Sequence, residues 1–369
     1  MKKVAIALSG GIDSSVSAYL LKKMGYNLIG IFMYNWSNNN CMWEDIRYAM
    51  LIANKLNIPF YILDLRKEYK KEVINYMYEG YKNCITPNPD IICNEKIKFG
   101  IFLEKALNLN VNYIATGHYV KKIKNKKNIF KLLCGKDFKK DQSYFLCRIN
   151  QYQLSKCLFP LGNFKKKEVR KIALKLNFYN TYKKDSQGLC FVGKINLINF
   201  LKKKIKPNIG NIYYISSKKK KLKKKNKKKN EYENIYYYKN IGKHLGYYYF
   251  TIGQRKHLNI KGNKYPLFLF YKNKNKNILY VCKKNHIELY KKFLFIKKKT
   301  IHWISKDIIK KNMKVMCKIR YNVKMEKAFL KFFNLGILIK FDKKQFAVTP
   351  GQFIVWYIKN ELIGSGIIN

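Results

Sequence analysis

The chain has 369 residues, room for two or three domains, and 47% of them are apolar, which excludes disorder over the whole length. Lys plus Arg number 77 against 21 Asp plus Glu, a formal charge of +56, and a surface that cationic repels itself unless it meets a polyanion such as nucleic acid. Only six of the 77 are Arg, and Asn, Ile, Tyr and Phe are abundant, as drift toward A+T-rich codons produces; the charge supports an RNA or DNA partner without establishing one.

Nine cysteines, an odd number with no CxxC spacing, argue against a disulfide-stapled secreted protein, a four-cysteine zinc site and a local iron–sulfur motif. The opening Met1-Lys2-Lys3 followed by Val4 to Leu8 has too short an apolar run for a signal peptide. The uncharged stretch from Met24 to Trp43 is too rich in Asn to sit in lipid. These features predict a soluble, cytoplasmic protein that has no membrane partner.

In chain order, Val4 to Leu8 reads as a buried strand and Ser14 to Met24 as a helix closed by Gly25. Leu28 to Met33 is a second strand, Tyr34 to Asn40 a loop, Ile46 to Leu56 a helix and Phe60 to Leu63 a third strand. Val111 to Ala115 is a fourth, ending in Thr116-Gly117-His118. Strands alternating with helices predict an α/β parallel sheet over residues 1–200. Beyond Leu201 the texture turns β-rich, giving a small central domain over 201–285. Ten of the thirteen residues from Lys218 to Asn230 are Lys, and a block that repels itself reads as a solvated loop. Over 286–369, Val315, Cys317, Ile319 and Tyr321 alternate inward while Lys318 and Arg320 face out. With Leu338 to Phe341, Gln345 to Val348 and Phe353 to Ile358 they predict a C-terminal β-barrel.

The strongest local motif is Ser9-Gly10-Gly11-Ile12-Asp13-Ser14-Ser15, between the first strand and the first helix. Paired glycines turn the backbone tightly and aim N–H groups at an anion, and the helix N-terminus adds its dipole. No Lys follows the glycines, so this is not a Walker A loop; a plain glycine turn capped by Asp13 or Ser14 is the simpler alternative. The string resembles the loop of ATP-pyrophosphatases, which cleave ATP between the α- and β-phosphates to adenylate a substrate.

A second motif is Thr86-Pro87-Asn88-Pro89-Asp90-Ile91-Ile92-Cys93-Asn94, followed by Glu95, Lys96, Ile97, Lys98 and Phe99. The prolines hold the approach extended and Asp90 can cap the helix that follows. Cys93 then falls at the third helical position, where the dipole and Lys96 favour a thiolate. A third motif, Asp185-Ser186-Gln187-Gly188-Leu189-Cys190-Phe191, places a second thiol on a bent loop. The other cysteines, Cys41, Cys84, Cys134, Cys147, Cys157, Cys282 and Cys317, read as small buried hydrophobes.

Together these strings resemble the tRNA-specific 2-thiouridylase family over nearly the full length. The likeness extends through Gly30-Ile31-Phe32-Met33, Ala115-Thr116-Gly117-His118-Tyr119, Lys140-Asp141-Gln142-Ser143-Tyr144-Phe145 and Phe159-Pro160-Leu161-Gly162. It continues in Thr251-Ile252-Gly253-Gln254-Arg255-Lys256, Lys318-Ile319-Arg320-Tyr321 and Val348-Thr349-Pro350-Gly351-Gln352. The resemblance implies an ATP-pyrophosphatase (adenine nucleotide α-hydrolase-like) first domain and ATP-dependent thiolation of a wobble uridine. Ala7, Leu8, Ser9, Gly10, Gly11, Ile12, Asp13 and Ser14, with Met33 and Gly117, would hold ATP, accompanied by Mg²⁺. Asn88, Pro89 and Asp90 would meet the flipped-out base, and His118, Lys140, Asp141, Gln142, Arg320, Tyr321 and Gln352 would contact tRNA.

Cys93 would be the nucleophile, Cys190 the persulfide carrier forming a transient disulfide with Cys93, and Asp90 a candidate acid–base group. The implied partners are lysine, glutamate and glutamine tRNAs and a persulfide sulfur-donor protein, acting on a monomer without zinc or an iron–sulfur cluster. Gln187 and Arg47-Tyr48 depart from the family pattern, and the Lys-rich block looks like an insertion. Two rival readings are a small-molecule ligase with the same loop, which needs no thiol pair, and an inactive basic RNA-binding protein, which needs neither loop nor thiols.

Overall fold

The computed structural model describes residues 1–369 apart from 37–39, 185–189, 191–195, 220–235, 259, 261–264, 306, 308 and 310–311. The first strands and helices are β1 (Lys3–Ala7), α1 (Ile12–Lys23), β2 (Asn27–Tyr34), α2 (Asn40–Lys55) and β3 (Phe60–Asp64). A helical run follows: α3 (Arg66–Tyr69), a π-helical turn (Lys70–Ile74) and α4 (Asn75–Lys82). Next come α5 (Pro89–Ile92), a longer π-helical segment (Cys93–Ile101), α6 (Phe102–Leu107) and β4 (Tyr113–Ala115). The sheet is parallel in the order β3-β2-β1-β4, completed at its edge by β7 (Cys157–Leu158).

Strands buried on both faces need no polar alternation, which is why Val4 to Ala7 and Leu28 to Met33 are continuously apolar. Pleating still sorts their side chains. Ile29, Ile31 and Met33 pack on one side with Tyr69, Cys93 and Ile97, whereas Leu28 and Phe32 pack on the other with Val16 and Leu20 of α1. Strand order reverses at β1, with β2 on one side and β4 on the other. The crevice at their carboxyl ends is where an open α/β sheet binds ligands.

A hairpin, β5 (Val120–Lys124) with β6 (Phe130–Cys134), follows β4, then α7 (Gln151–Ser155), α8 (Lys166–Lys175) and α9 (Leu197–Lys202). The central domain is a four-stranded sheet in the order β10 (Leu267–Asn273), β11 (Ile278–Lys283), β8 (Gly210–Lys219), β9 (Tyr236–His244). The C-terminal barrel is built from β12 (Tyr290–Lys297), β13 (His302–Trp303), β14 (Asn312–Lys318), β15 (Glu326–Phe333), β16 (Gly336–Phe346), β17 (Phe353–Ile358) and β18 (Glu361–Ile367). The hairpin of the first domain adds to this sheet: Leu132 and Leu133 of β6 pair with Leu362 and Glu361 of β18, and Lys131 meets Glu361 at 2.8 Å.

Several expectations are corrected. Gly11, not Asp13 or Ser14, caps α1, because both side chains bond elsewhere. Gln345 to Val348 is not a separate strand; β16 runs unbroken to Phe346 against β12. β14 ends at Lys318, so Arg320 does not follow its alternation outward but turns inward. β8 carries Lys218 and Lys219 as strand, and the rest of the Lys-rich block lies outside the described residues. Among the described residues no helix is long and apolar enough to cross a membrane.

Candidate active site

The loop after β1 turns at Gly10, whose φ of +70° favours glycine; a Cβ there would also collide with the Asp45 carbonyl oxygen of α2. Hydroxyls brace the turn. The Ser14 and Ser15 hydroxyls donate to the Gly11 carbonyl at 2.9 and 3.0 Å, and the Ser9 amide donates to Ser14 Oγ at 3.2 Å. Asn180 Nδ2 donates to the Gly10 carbonyl and Ser15 Oγ, each at 2.9 Å. Gly117, just past β4, lies so close that a Cβ would sit 2.9 Å from the Ser14 nitrogen. Residues Ala7 to Ser14 and Gly117 therefore form one wall of the crevice, and Met33 closes the neighbouring strand.

Asp13 is held by Tyr119 (hydroxyl to Oδ1, 2.6 Å) and by Lys166, whose Nζ reaches both carboxylate oxygens at 2.8 and 2.9 Å. Lys166 is 8% exposed, so this cation sits deep beside the glycine turn. Sequence reasoning singled out neither Lys166 nor Asn180; no local pattern marks them, since both arrive from distant segments.

The second motif brings the thiols together. Asn88, not Asp90, caps α5, accepting the Ile91 amide at 3.3 Å, with Pro89 at the first helical position. Cys93 and Cys190 are both free thiols, near enough across 97 residues of sequence that each shifts the other's ionisation. The Cys190 backbone is fixed at both ends. Its amide donates to Asp90 Oδ1 at 2.9 Å and its carbonyl accepts the Tyr69 hydroxyl at 2.6 Å. The rest of the third motif, residues 185–189 and Phe191, lies outside the described residues.

The thiolate expectation is reversed. Cys93 is wholly buried, and burial followed by the neighbouring Cys190 pushes its thiol well above the ordinary value. Lys96 lies on the exposed side beside Glu95 (3.9 Å), away from the sulfur. Lys98 is the cation at the thiols. In an α-helix a residue five places on lies ~140° around the axis, but here the backbone is π-helical and brings Lys98 to the Cys93 side. Cys190 carries the anionic character: the hydrogen bond from Cys93 and the charge of Lys98 outweigh burial and bring its thiol down to about 7. Against the pull of burial, the same sulfurs and Asp90 keep Lys98 charged. Burial raises the Asp90 carboxyl, and the Cys190 amide and Lys98 partly offset that rise.

The residues expected to touch tRNA are placed less uniformly. His118 is buried, its Nδ1 2.8 Å from Thr116 Oγ1 and its ring between Phe99 and Phe159; burial holds it well below the ordinary histidine range. Asp141 is likewise buried, accepting the Gly135 amide (3.0 Å) and the Ser143 hydroxyl (2.7 Å). Both side chains are thus buried and held by partners of their own domain. Gln142 accepts the Tyr119 amide at 3.0 Å. Arg320 donates to the carbonyls of Ile252 (3.0 Å) and Ala347 (2.6 Å) and to Thr349 Oγ1, tying the central domain to the barrel. Gln352 donates to the carbonyls of Thr86 (2.9 Å) and Pro87 (3.3 Å), at the entry to the Cys93 motif. Tyr321 is half-buried, its ring 4.4 Å from that of Phe145, and Lys140 is partly exposed nearby.

Three family descriptions match the chain end to end: "tRNA methyl transferase HUP domain" over residues 2–194, "tRNA methyl transferase PRC-barrel domain" over 198–283 and "Aminomethyltransferase beta-barrel domain" over 295–368. Among similar proteins, the tRNA-specific 2-thiouridylase MnmA of Karelsulcia muelleri is 53% identical, covering 100% of this chain and 99% of its own. That of Flavobacterium johnsoniae is 44% identical over 100% of both chains. The tRNA-specific 2-thiouridylase MnmA 1 of Geobacillus kaustophilus is 39% identical, covering 100% of this chain and 95% of its own.

Proposed function

Because the chain belongs to the tRNA-specific 2-thiouridylase family, we propose that its crevice thiolates C2 of a tRNA wobble uridine at the expense of ATP, with Cys190 carrying the sulfur. The observation that carries the reading is the contact of Cys93 and Cys190 with Lys98, on the face of the sheet that ends at the Ser9–Ser14 loop.

ATP lies over that loop, in contact with Ala7 to Ser14, Met33 and Gly117. Backbone N–H groups at the start of α1 receive the phosphates, and Lys166 adds positive charge from behind Asp13. Mg²⁺ comes with the nucleotide as its counter-ion: among the described residues no group of three His, Cys, Asp or Glu gathers to cage a metal. The target base leaves the anticodon stack and enters beside Asn88, Pro89 and Asp90. Its O2 attacks the α-phosphate, the N3 proton is lost to a base for which Asp90, with its raised pKa, is the candidate, and pyrophosphate leaves.

A donor protein first loads Cys190 with a sulfane sulfur. The terminal sulfur attacks C2 and AMP departs with the O2 oxygen. Cys93 then attacks Cys190 Sγ: the two cysteines are oxidised to a disulfide, the transferred sulfur is reduced and stays on C2, and an external thiol resets the pair. Lys98 stabilises the sulfur anions at each stage. Lys140 and Tyr321, at the surface beside the site, are the candidates for tRNA contact, while Arg320 and Gln352 act by holding the domains that frame it.

Single-turnover thiolation of an unmodified tRNA transcript, with ATP and a persulfide donor, tests the reading. Wild type should form 2-thiouridine and pyrophosphate together. Cys190→Ser should release pyrophosphate without transferring sulfur. Pyrophosphate release triggered by a small acid, with no sulfur on RNA, would sink the proposal and identify a ligase.

A further inference from the structure

One side chain beside the crevice remains without a partner. Asn35 follows β2 directly and is 2% exposed, yet neither Nδ2 nor Oδ1 makes a hydrogen bond. Among the described residues it is the only buried carboxamide with both ends unpaired. Asn180 lacks a partner only at Oδ1, its nitrogen serving the glycine loop, and Asn94 lacks one only at Oδ1, its nitrogen bonding the Phe145 carbonyl. A buried amide left wholly unpaired costs free energy, and such a group calls for a reason.

Its position supplies one. Along β2 the odd-numbered side chains Ile29, Ile31 and Met33 lie on the face that holds Cys93 and Tyr69. Continuing that alternation puts Asn35 on the same face, one step beyond Met33, at the carboxyl end of the sheet. β2 is hydrogen-bonded to β1, whose end runs into the glycine loop. The next residue, Trp36, packs its ring against Tyr69 (6.5 Å) and Phe200 (6.0 Å), and the Tyr69 hydroxyl holds the Cys190 carbonyl. Asn35 thus follows the strand paired with β1, and its neighbour Trp36 touches the tyrosine that holds the Cys190 carbonyl.

A carboxamide offers one acceptor and a donor side by side. Uracil presents the complement, an N3–H donor beside the O4 acceptor, and pairing there leaves C2 and O2 free for the phosphate and the sulfur. We infer that Asn35 is a binding residue for the flipped-out base, meeting the N3–O4 edge of uracil as the base docks and keeping its donor bond to O4 once the N3 proton has gone to Asp90. This rests on the thiouridylase reading of the site. The adenine of ATP has an edge that a carboxamide also fits, but the side of Asn35 toward Trp36, Tyr69 and Cys190 favours the base that receives sulfur.

The test compares wild type, Asn35→Ala and the near-isosteric Asn35→Asp on a transcript with wobble U, with nucleosides read by mass spectrometry. Asn35→Ala should lower kcat/KM for the U transcript roughly 10- to 100-fold, with KM for ATP within about twofold of wild type. A carboxylate cannot donate to O4 of uracil and repels it, so Asn35→Asp should lower kcat/KM for the U transcript at least as far as Asn35→Ala, again with KM for ATP within about twofold of wild type. A raised KM for ATP with kcat/KM for the U transcript unchanged at saturating ATP would make Asn35 an adenine reader and overturn the inference. Variants within about twofold of wild type in both measures would reduce it to a group satisfied by water, with the same consequence. Failure of wild type itself to thiolate the U transcript would instead strike the thiouridylase reading.

Discussion

At Cys190 two opposing effects of comparable size meet, and the balance can be measured. Burial disfavours its thiolate, while the Cys93 hydrogen bond and Lys98 favour it, and the outcome is a thiol near 7 beside one held far higher. Because the Cys190 value is depressed, its reactive anion is lost as pH falls through about 7 and not through the usual thiol range near 9. Alkylation of Cys190, followed by peptide mass spectrometry, should therefore rise to half its plateau near pH 7, with Cys93 lagging at every pH. Lys98→Met should move that midpoint upward; an unmoved midpoint would remove Lys98 from the site. On the nucleotide side, Lys166→Met leaves the Asp13 carboxylate facing the phosphates without its cation, and equilibrium ATP binding should weaken roughly tenfold or more. Unchanged binding would confine Lys166 to packing.

The segment from Asn88 to Ile101 shows how far an element can be read from residues. Its helical character and a polar cap are legible in Pro-Asn-Pro-Asp, and the structure keeps both while moving the cap from Asp90 to Asn88, so that Pro89 opens the helix and does not extend the approach. The π-helical stretch is not legible. A regular helix drawn through Cys93 puts Lys96 beside it, and only the wider turn brings Lys98 there. The shift of cap frees Asp90 to hold the Cys190 amide, a contact that no local pattern encodes because its partner is 100 residues away. Asn88→Ala removes the Ile91 bond and should cost about 1 kcal/mol in chemical denaturation, with activity falling as well because the same turn presents Asp90. A loss of stability with full activity would separate the cap from the site. β1, β2 and the loop between them were the easiest elements to read, since buried parallel strands and a Gly-Gly turn carry their signal within a few residues.

On the scale of the whole molecule, the barrel and the central domain do more than add basic surface. Three strings shared with the family converge at one junction. Arg320 joins Ile252 to Ala347 and Thr349, Gly253 lies so close that a Cβ would overlap Ala347, and Gln352 holds Thr86 and Pro87. Gly351, with φ of +89°, lies against Ile85 and Thr86, where a Cβ would come within 2.9 Å of the Thr86 backbone. The C-terminal barrel therefore braces the entry to the Cys93 segment, through residues for which the family resemblance implies tRNA contact. Gly351→Val should lower single-turnover thiolation roughly tenfold or more while ATP binding stays near wild type, since Gly351 lies against Ile85 and Thr86 at the entry to the Cys93 segment and not against the glycine loop. Equal loss of both would make the junction a matter of global stability.

The central claim, that sulfur reaches tRNA by way of Cys190, is most directly tested by loading the protein with a heavy-isotope persulfide and mapping the label to Cys190. The loaded protein is then mixed with ATP and unmodified tRNA with no other sulfur source and no thiol present. The account predicts that 2-thiouridine from the first turnover carries the heavy isotope, while the Cys93–Cys190 disulfide appears in equal amount. Pyrophosphate release with no 2-thiouridine formed and the heavy persulfide still on Cys190 would contradict it.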